Sequence, residues 1–380
     1  MAKLDGLTRV GILLVETLRR FMAMPNGRVL TYSALVLSAA SLIPSSIRAQ
    51  CVTAPSTCTE YVSVGEGPRQ VLVYRSHPLT TANPDITRAL VIVHGAERSS
   101  ASFEFRSALA GAFLVGALDY TVIIAPRFKA NDVVNCTDSL ATNELNWECD
   151  VLRVDWRLGG VARNDSAMSS FDAIDAILRR VARKSEFPNL RTVVLAGHSA
   201  GGQFVTLYAM ANQVHEGLGA ELNYVVANAA GYAYMDDRRP TAAWLARSNA
   251  IDRGDTTRVP FAAYAGTREC SDYGDWPFGL VKRPPYAARL TEAELREQAA
   301  RRPVTYLLSE LDVAQPGGFY GSCAAMAQGS SRLSRGVAFA SYMTQFNQGP
   351  HRRIIVDGCG HDVRCVYTSG AALSSLFRRQ

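Results

Sequence analysis

At 380 residues, 48% hydrophobic and 19% charged, the chain has globular composition and length enough for a sizeable core, in one large domain or two small ones. Its net charge of +6 comes from scattered arginines with no lysine block, which argues against a nucleic-acid binder. No internal period of roughly 20–50 residues is evident, so a repeat array is excluded.

The first fifty residues differ from the rest. Arg28 precedes an apolar run, Val29–Ile43, and small and polar residues then lead to Ile47-Arg-Ala-Gln50. This is the layout of a secretory signal peptide over residues 1–49, cleaved after Ala49. Arg19 and Arg20 make its basic region long, and a start at Met22 or Met24 gives a more usual length. The apolar run is shorter than the ~20 residues of a membrane span, so no stable span is expected in the mature chain. Eight cysteines follow the leader, an even number in an exported chain, and disulfides between sequence neighbours are expected: 51–58, 136–149, 270–323 and 359–365. Neither Cys-x-x-Cys nor paired-histidine spacing supports zinc. The expected location is secreted or periplasmic.

Tyr61–Val64 and Gln70–Tyr74 read as a hairpin joined by Gly65-Glu-Gly-Pro68. Ala89–Val93 is a continuous apolar run, as expected of a strand buried on both faces; it ends in His94-Gly-Ala-Glu97. A helix over Phe103–Val115 and a strand over Tyr120–Ala125 follow. The polar stretch 127–161 reads as an ordered loop stapled by Cys136 and Cys149. A helix from about Ser166 to Lys184 places Phe171, Ile174, Ile177, Leu178 and Val181 on one stripe. After Pro188 comes the strand Thr192–Ala196, then Gly197-His-Ser-Ala-Gly201, then the helical run Gln203–Met210.

Tyr224–Asn228 is another strand. From Gly231 to Pro303 the pattern loosens around Pro240, Pro260, Pro277, Pro284 and Pro285, as in an inserted cap. Its Trp244, Tyr264, Tyr273, Trp276, Phe278 and Tyr286 are candidates to line a pocket, or else to form the insertion's own small core. Thr305–Leu308, a helix over Leu333–Phe346, the strand Arg353–Val356 and a helix over Ala371–Arg378 complete the chain. Strands alternating with helices imply a single α/β domain over residues 50–380. A mostly parallel central sheet carries helices on both faces, with the site at the strands' carboxyl ends.

Strand, Gly-x-Ser-x-Gly and helix in that order form a nucleophile elbow. A serine there sits in strained backbone with its hydroxyl exposed, and the helix N-terminus behind it favours negative charge. Ser199 needs a base, and the base needs an orienting acid. His361, in Gly358-Cys-Gly-His-Asp362 after the last strand, is the expected base. His94 and His198 belong to glycine motifs beside the site, whereas His77, His215 and His351 lie in polar surroundings with surface or structural roles. The acid should leave the Thr305–Leu308 strand, as Asp312 or, as runner-up, Glu310. Oxyanion donors are expected from the Ala200 N–H and from the turn after Val93, at Ala96 or alternatively Glu97.

The order Ser199, Asp312, His361 is that of the α/β-hydrolases, which the chain resembles from about Tyr61 to its C-terminus. Val93-His-Gly95, Ala196-Gly-His-Ser-Ala-Gly-Gly202 and Gly358-x-Gly-His361 resemble exported esterases of the feruloyl-esterase and polyhydroxyalkanoate-depolymerase kind. The chain departs from the His-Gly-Gly-Gly pattern of one large lipase group, which leaves the second oxyanion donor open. The resemblance implies hydrolysis of a small-molecule or polymeric ester through an acyl-enzyme, with neither cofactor nor metal. Amide hydrolysis, acyl transfer and a non-catalytic binding role on the same fold are the alternatives.

Overall fold

The apolar runs assemble into one eight-stranded sheet. The computed structural model describes residues 51–97, 100–149, 155–248, 258–315, 318–347 and 349–378; the expected leader lies outside them. In chain order the elements begin with β1 (Thr59–Ser63), β2 (Gln70–Arg75), β3 (Arg88–Val93), α1 (Ala101–Leu114) and β4 (Thr121–Pro126). A small hairpin, β5 (Val161–Ala162) and β6 (Asp165–Ser169), precedes α2 (Ser170–Val181), β7 (Thr192–His198), α3 (Ala200–Ala211) and β8 (Glu221–Ala227). Then come β9 (Arg238–Pro240), α4 (Ala242–Leu245), β10 (Phe261–Ala263), α5 (Glu292–Arg301) and β11 (Val304–Ser309). The chain closes with α6 (Cys323–Met326), α7 (Arg332–Tyr342), β12 (His351–Val356), α8 (Val363–Thr368) and α9 (Gly370–Leu376).

The strand order is β1-β2-β4-β3-β7-β8-β11-β12. Pairing is antiparallel from β1 to β2 and from β2 to β4, and parallel from β4 onward. β3, β4 and β7 are buried along their whole length, which is why they read as uninterrupted apolar runs. Alternate residues feed two cores. Leu90, Ile92, Ile123 and Val194 pack under Phe105, Val366 and Tyr367 of α1 and α8. Val91, Val93 and Leu195 pack under Phe171, Phe204, Leu207 and Phe339 of α2, α3 and α7. Both faces are therefore covered, and the sheet presents a usable edge for chemistry only at its strand ends.

α2 spans Ser170–Val181, starting later and ending earlier than the expected Ser166–Lys184. Residues 165–169 pair with β5, and Ser169 closes a capping box with Asp172 that fixes the helix start. α7 stops at Tyr342 and continues as a π-turn over Met343–Asn347, so the expected helix to Phe346 changes hydrogen-bond pattern in its last turn. α5 and α8 have no counterpart in the sequence reading.

Within residues 231–303, β9 and β10 form a two-stranded ribbon, while α5 packs on α3 and carries the chain from β8 to β11. Trp244, Trp276 and Tyr286 are buried in the main core, and Phe278 packs beside Cys270, Ala324 and Ala325. Trp276 donates its Nε1–H to Leu158 O (2.9 Å), and the Tyr286 and Tyr208 hydroxyls converge on the buried Asp175. These side chains anchor the segment to the domain. Tyr264 and Tyr273 stay half-buried. Arg239, 1% exposed, donates to four carbonyls (Asp236, Arg238, Tyr273 and Phe278), the last of which also accepts the Tyr234 N–H, and so ties these loops together. The four disulfides join the expected sequence neighbours.

Candidate active site

Ser199 is the single residue between β7 and α3, with φ 58° and ψ −118°. A residue with a side chain holds such a conformation only where its surroundings over-determine it. Here they are main chain on every side. The Ser199 N–H donates to Ala227 O at the end of β8 (2.9 Å). A Cβ at Gly197 would lie 2.2 Å from Gly201 O, one at Gly201 2.1 Å from Val93 O, and one at Gly202 2.5 Å from Ala227 O. Helix and strands approach at these points closer than any side chain permits.

Ser199 Oγ lies 2.9 Å from His361 Nε2, and His361 Nδ1 lies 2.7 Å from Asp312 Oδ2. An ionised carboxylate only accepts, so Asp312 assigns the proton to Nδ1 and leaves the Nε2 lone pair for the serine hydroxyl. Asp312 is 2% exposed, and Arg332 Nη1 lies 3.5 Å from its other oxygen. The neighbouring Glu310 has different work: its Oε2 accepts the Gly358 N–H (2.8 Å). Two main-chain bonds, Glu310 N–H to Val356 O and Leu311 N–H to Cys359 O, stitch the loop after β11 to the loop after β12. The Cys359–Cys365 disulfide ties His361's loop to α8, and Asp362 caps that helix through the Cys365 N–H. Cys270–Cys323 ties residues 231–303 to the segment after Asp312.

The turn after β3 also reaches the serine. His94 is fully buried between Trp156 and Phe128, where burial holds its imidazole down at about 4. Being neutral, it donates Nδ1–H to Gly95 O (2.7 Å) and accepts the Phe128 N–H at Nε2 (3.1 Å). This pins the turn. Gly95 lies against Ser199, since a Cβ built on it would be 3.9 Å from Ser199 Cβ. Ala96 follows it directly, and Ala200 opens α3, where the first N–H groups have no intrahelical acceptor.

Residues 90–374 match the alpha/beta hydrolase family. The chain belongs to that family. Among solved structures, poly(aspartic acid) hydrolase-1 from Sphingomonas sp. KT-1 is similar at 19% identity and TM-score 0.54, covering 84% of this chain and 98% of that one. A poly(3-hydroxybutyrate) depolymerase from Bordetella parapertussis is similar at 17% identity and TM-score 0.51, covering 82% of this chain and 85% of its own. Identities this low carry the fold alone. No curated protein sequence matches the chain.

The candidate site also contains His198, which the sequence placed beside it without a role, and Asn228, which sequence reasoning missed. His198, 4% exposed, lies 4.6 Å ring to ring from His361. Burial, and then the neighbouring His361 and Arg332, hold its imidazole far below the usual range, so it stays neutral. Asn228, at the end of β8 with φ 48°, accepts the Ser309 N–H and donates to Ser309 Oγ (both 2.8 Å), and lies 3.3 Å from His198 Nε2. That buried network links the ends of β7, β8 and β11. Asn tolerates positive φ, which is the one local hint of its place. His77, His215 and His351 are half-buried with pKa values lowered by burial; His215 and His351 bond the Tyr224 and Tyr306 hydroxyls. They are structural. Cys270, Asp272 and Cys323 are grouped at metal-ligand distances, but a disulfide consumes both thiolates.

Proposed function

We propose that this hydrolase cleaves carboxylic esters with a Ser199-His361-Asp312 triad, outside the cytoplasm. The observation that carries the reading is the unbroken hydrogen-bond path Ser199 Oγ, His361 Nε2, His361 Nδ1, Asp312 Oδ2. His361 removes the serine proton as Oγ attacks the ester carbonyl, and Asp312 stabilises the imidazolium that forms. The Ala96 and Ala200 amides receive the oxyanion, a contribution of about 3–4 kcal/mol per donor where it has been measured in such sites. His361 then protonates the departing alcohol, activates water, and the acid leaves the acyl-enzyme. Neither cofactor nor metal enters these steps.

Export is supported by four disulfides, which persist in oxidising compartments. No helix among the described residues is long and apolar enough to cross a membrane. The fold neighbours act on a poly(aspartic acid) and on a poly(3-hydroxybutyrate), so a polymeric substrate belongs beside small esters in any screen. The same triad serves amide cleavage and acyl transfer, and the sequence motifs are common to all three. A fluorophosphonate should label Ser199 in folded protein, and a graded series of nitrophenyl esters should turn over ahead of matched amides. Labelling that fails points to a non-catalytic binding protein; turnover of amides alone removes the ester reading.

A further inference from the structure

α1 buries a carboxyl that the proposed triad does not use. Glu104 lies in the helix's first turn, 2% exposed. Its Oε1 accepts the Gly95 N–H at 3.1 Å, and its Oε2 is buried with no hydrogen-bond partner among the described residues. The same glycine lies against the nucleophile: a Cβ there would be 3.6 Å from Glu104 Oε1 and 3.9 Å from Ser199 Cβ. The carboxyl thus backs the one piece of main chain that leads from the serine to Ala96.

We propose that Glu104 is a positioning residue that works as a neutral acid, holding the Gly95 peptide so that the Ala96 N–H meets the oxyanion, and that its ionised form, while still holding Gly95, opposes the oxyanion by its charge. The proposal rests on the roles given above to Ser199 and Ala96.

The surroundings favour the neutral form. Burial pushes the Glu104 carboxyl up to about 8; the Gly95 N–H opposes that and Asp362 adds to it. α1 packs on β2, β3, β4 and α8. The end of β3 offers His94, held neutral, and Glu97; α8 and its cap offer Asp362, Arg364 and Tyr367. Tyr367 is fully buried and its hydroxyl is held well above its usual range, so it is neutral too. β2 contributes Tyr74, stacked on Phe105, and Arg75, which pairs with Glu60; Asp119 and Tyr120 precede β4. Arg364, and Arg106 on α1 itself, are exposed. A carboxylate formed here would face a developing oxyanion across a poorly screened gap and raise the barrier.

The test reads kcat against pH on a nitrophenyl ester, with the spontaneous rate subtracted. The wild-type kcat should fall above an ionisation near 8 to a plateau about tenfold or more lower, with KM changed little, because the charge opposes the transition state rather than the bound ester. E104Q keeps an acceptor for Gly95 but cannot ionise; it should start about threefold lower at pH 7 and carry no such alkaline limb. E104A should lose roughly tenfold or more at every pH, with E104Q recovering most of that. A wild-type profile flat to high pH overturns the proposal without any variant, as does an E104Q profile that keeps the limb. Stability gives a separate reading. The carboxyl binds its proton more tightly folded than unfolded, so stability should fall as pH rises from about 4.5 to about 8 and level above; that fall should be missing in E104Q. Fluorophosphonate titration of Ser199 is run on each protein. Loss of labelling in the wild type defeats the triad reading, whereas normal labelling with a persistent limb defeats only the role of Glu104.

Discussion

The elbow and the paired loops after β11 and β12 reach the same atoms by different means. Around Ser199 the constraint is main chain against main chain: Gly201 and Gly202 let α3 pass Val93 O and Ala227 O with no room for a methyl group. Around Asp312 and His361 the constraint is side chains and cross-links: Glu310 on Gly358, Asn228 on Ser309, Asp362 capping α8, and Cys359–Cys365. Even the glycines differ. Gly358 sits at φ +69°, but a Cβ on either Gly358 or Gly360 would meet nothing within 4 Å. A nucleophile needs a strained, invariant position, which packing supplies. A base and its acid need only alignment, which a few well-placed bonds supply.

The largest expected effect sharpens the division of labour inside the loops. Asp312→Asn should lower kcat about 10⁴-fold by favouring the wrong imidazole tautomer, with melting temperature changed far less. Gly201→Ala should destabilise the fold by about 3 kcal/mol or more, because the new methyl meets carbonyl oxygens that cannot move aside; thermal melting or loss of soluble protein measures it. Glu310→Ala should cost about 1.5–3 kcal/mol in urea titrations by leaving the Gly358 N–H unbonded, and kcat should fall far less than in Asp312→Asn. Were the kinetic effects reversed, Glu310 would be the acid. Replacing Cys359 and Cys365 by serine opens a short loop and should cost about 2 kcal/mol, with kcat falling more than KM rises as His361 loses alignment. Gly360→Ala is the contrast to Gly201→Ala: its stability should stay within about 0.5 kcal/mol of wild type. A large loss there would mean that the base loop is as tightly packed as the elbow.

Much of the sheet was legible because β3, β4 and β7 are buried on both faces and so carry no polar alternation. α5 was legible too, though unread: Thr291-Glu-Ala-Glu294 is a capping box, and both of its reciprocal bonds form. α8 is only six residues long, too short for a helical period to register. The insertion's aromatics had two sequence readings, and their burial against Leu158, Asp175 and Ala324 depends on partners far along the chain. Glu104, Asn228 and Arg332 follow the same rule. Each is an ordinary polar residue until the fold brings Gly95, Ser309 and Asp312 to it.

What the sequence determined by itself is therefore local. Strand, Gly-His-Ser-Ala-Gly-Gly and helix occupy consecutive residues, and the strain at Ser199 follows from glycines within three positions of it. Only tertiary structure tells Asp312 from Glu310, two carboxylates two residues apart. Parallel pairing of β11 with β12 stitches their following loops together, and that register turns one carboxylate to His361 and the other to Gly358. Side chains two residues apart in sequence diverge wherever a strand gives way to a turn, and only the partner strand decides which of them meets the histidine.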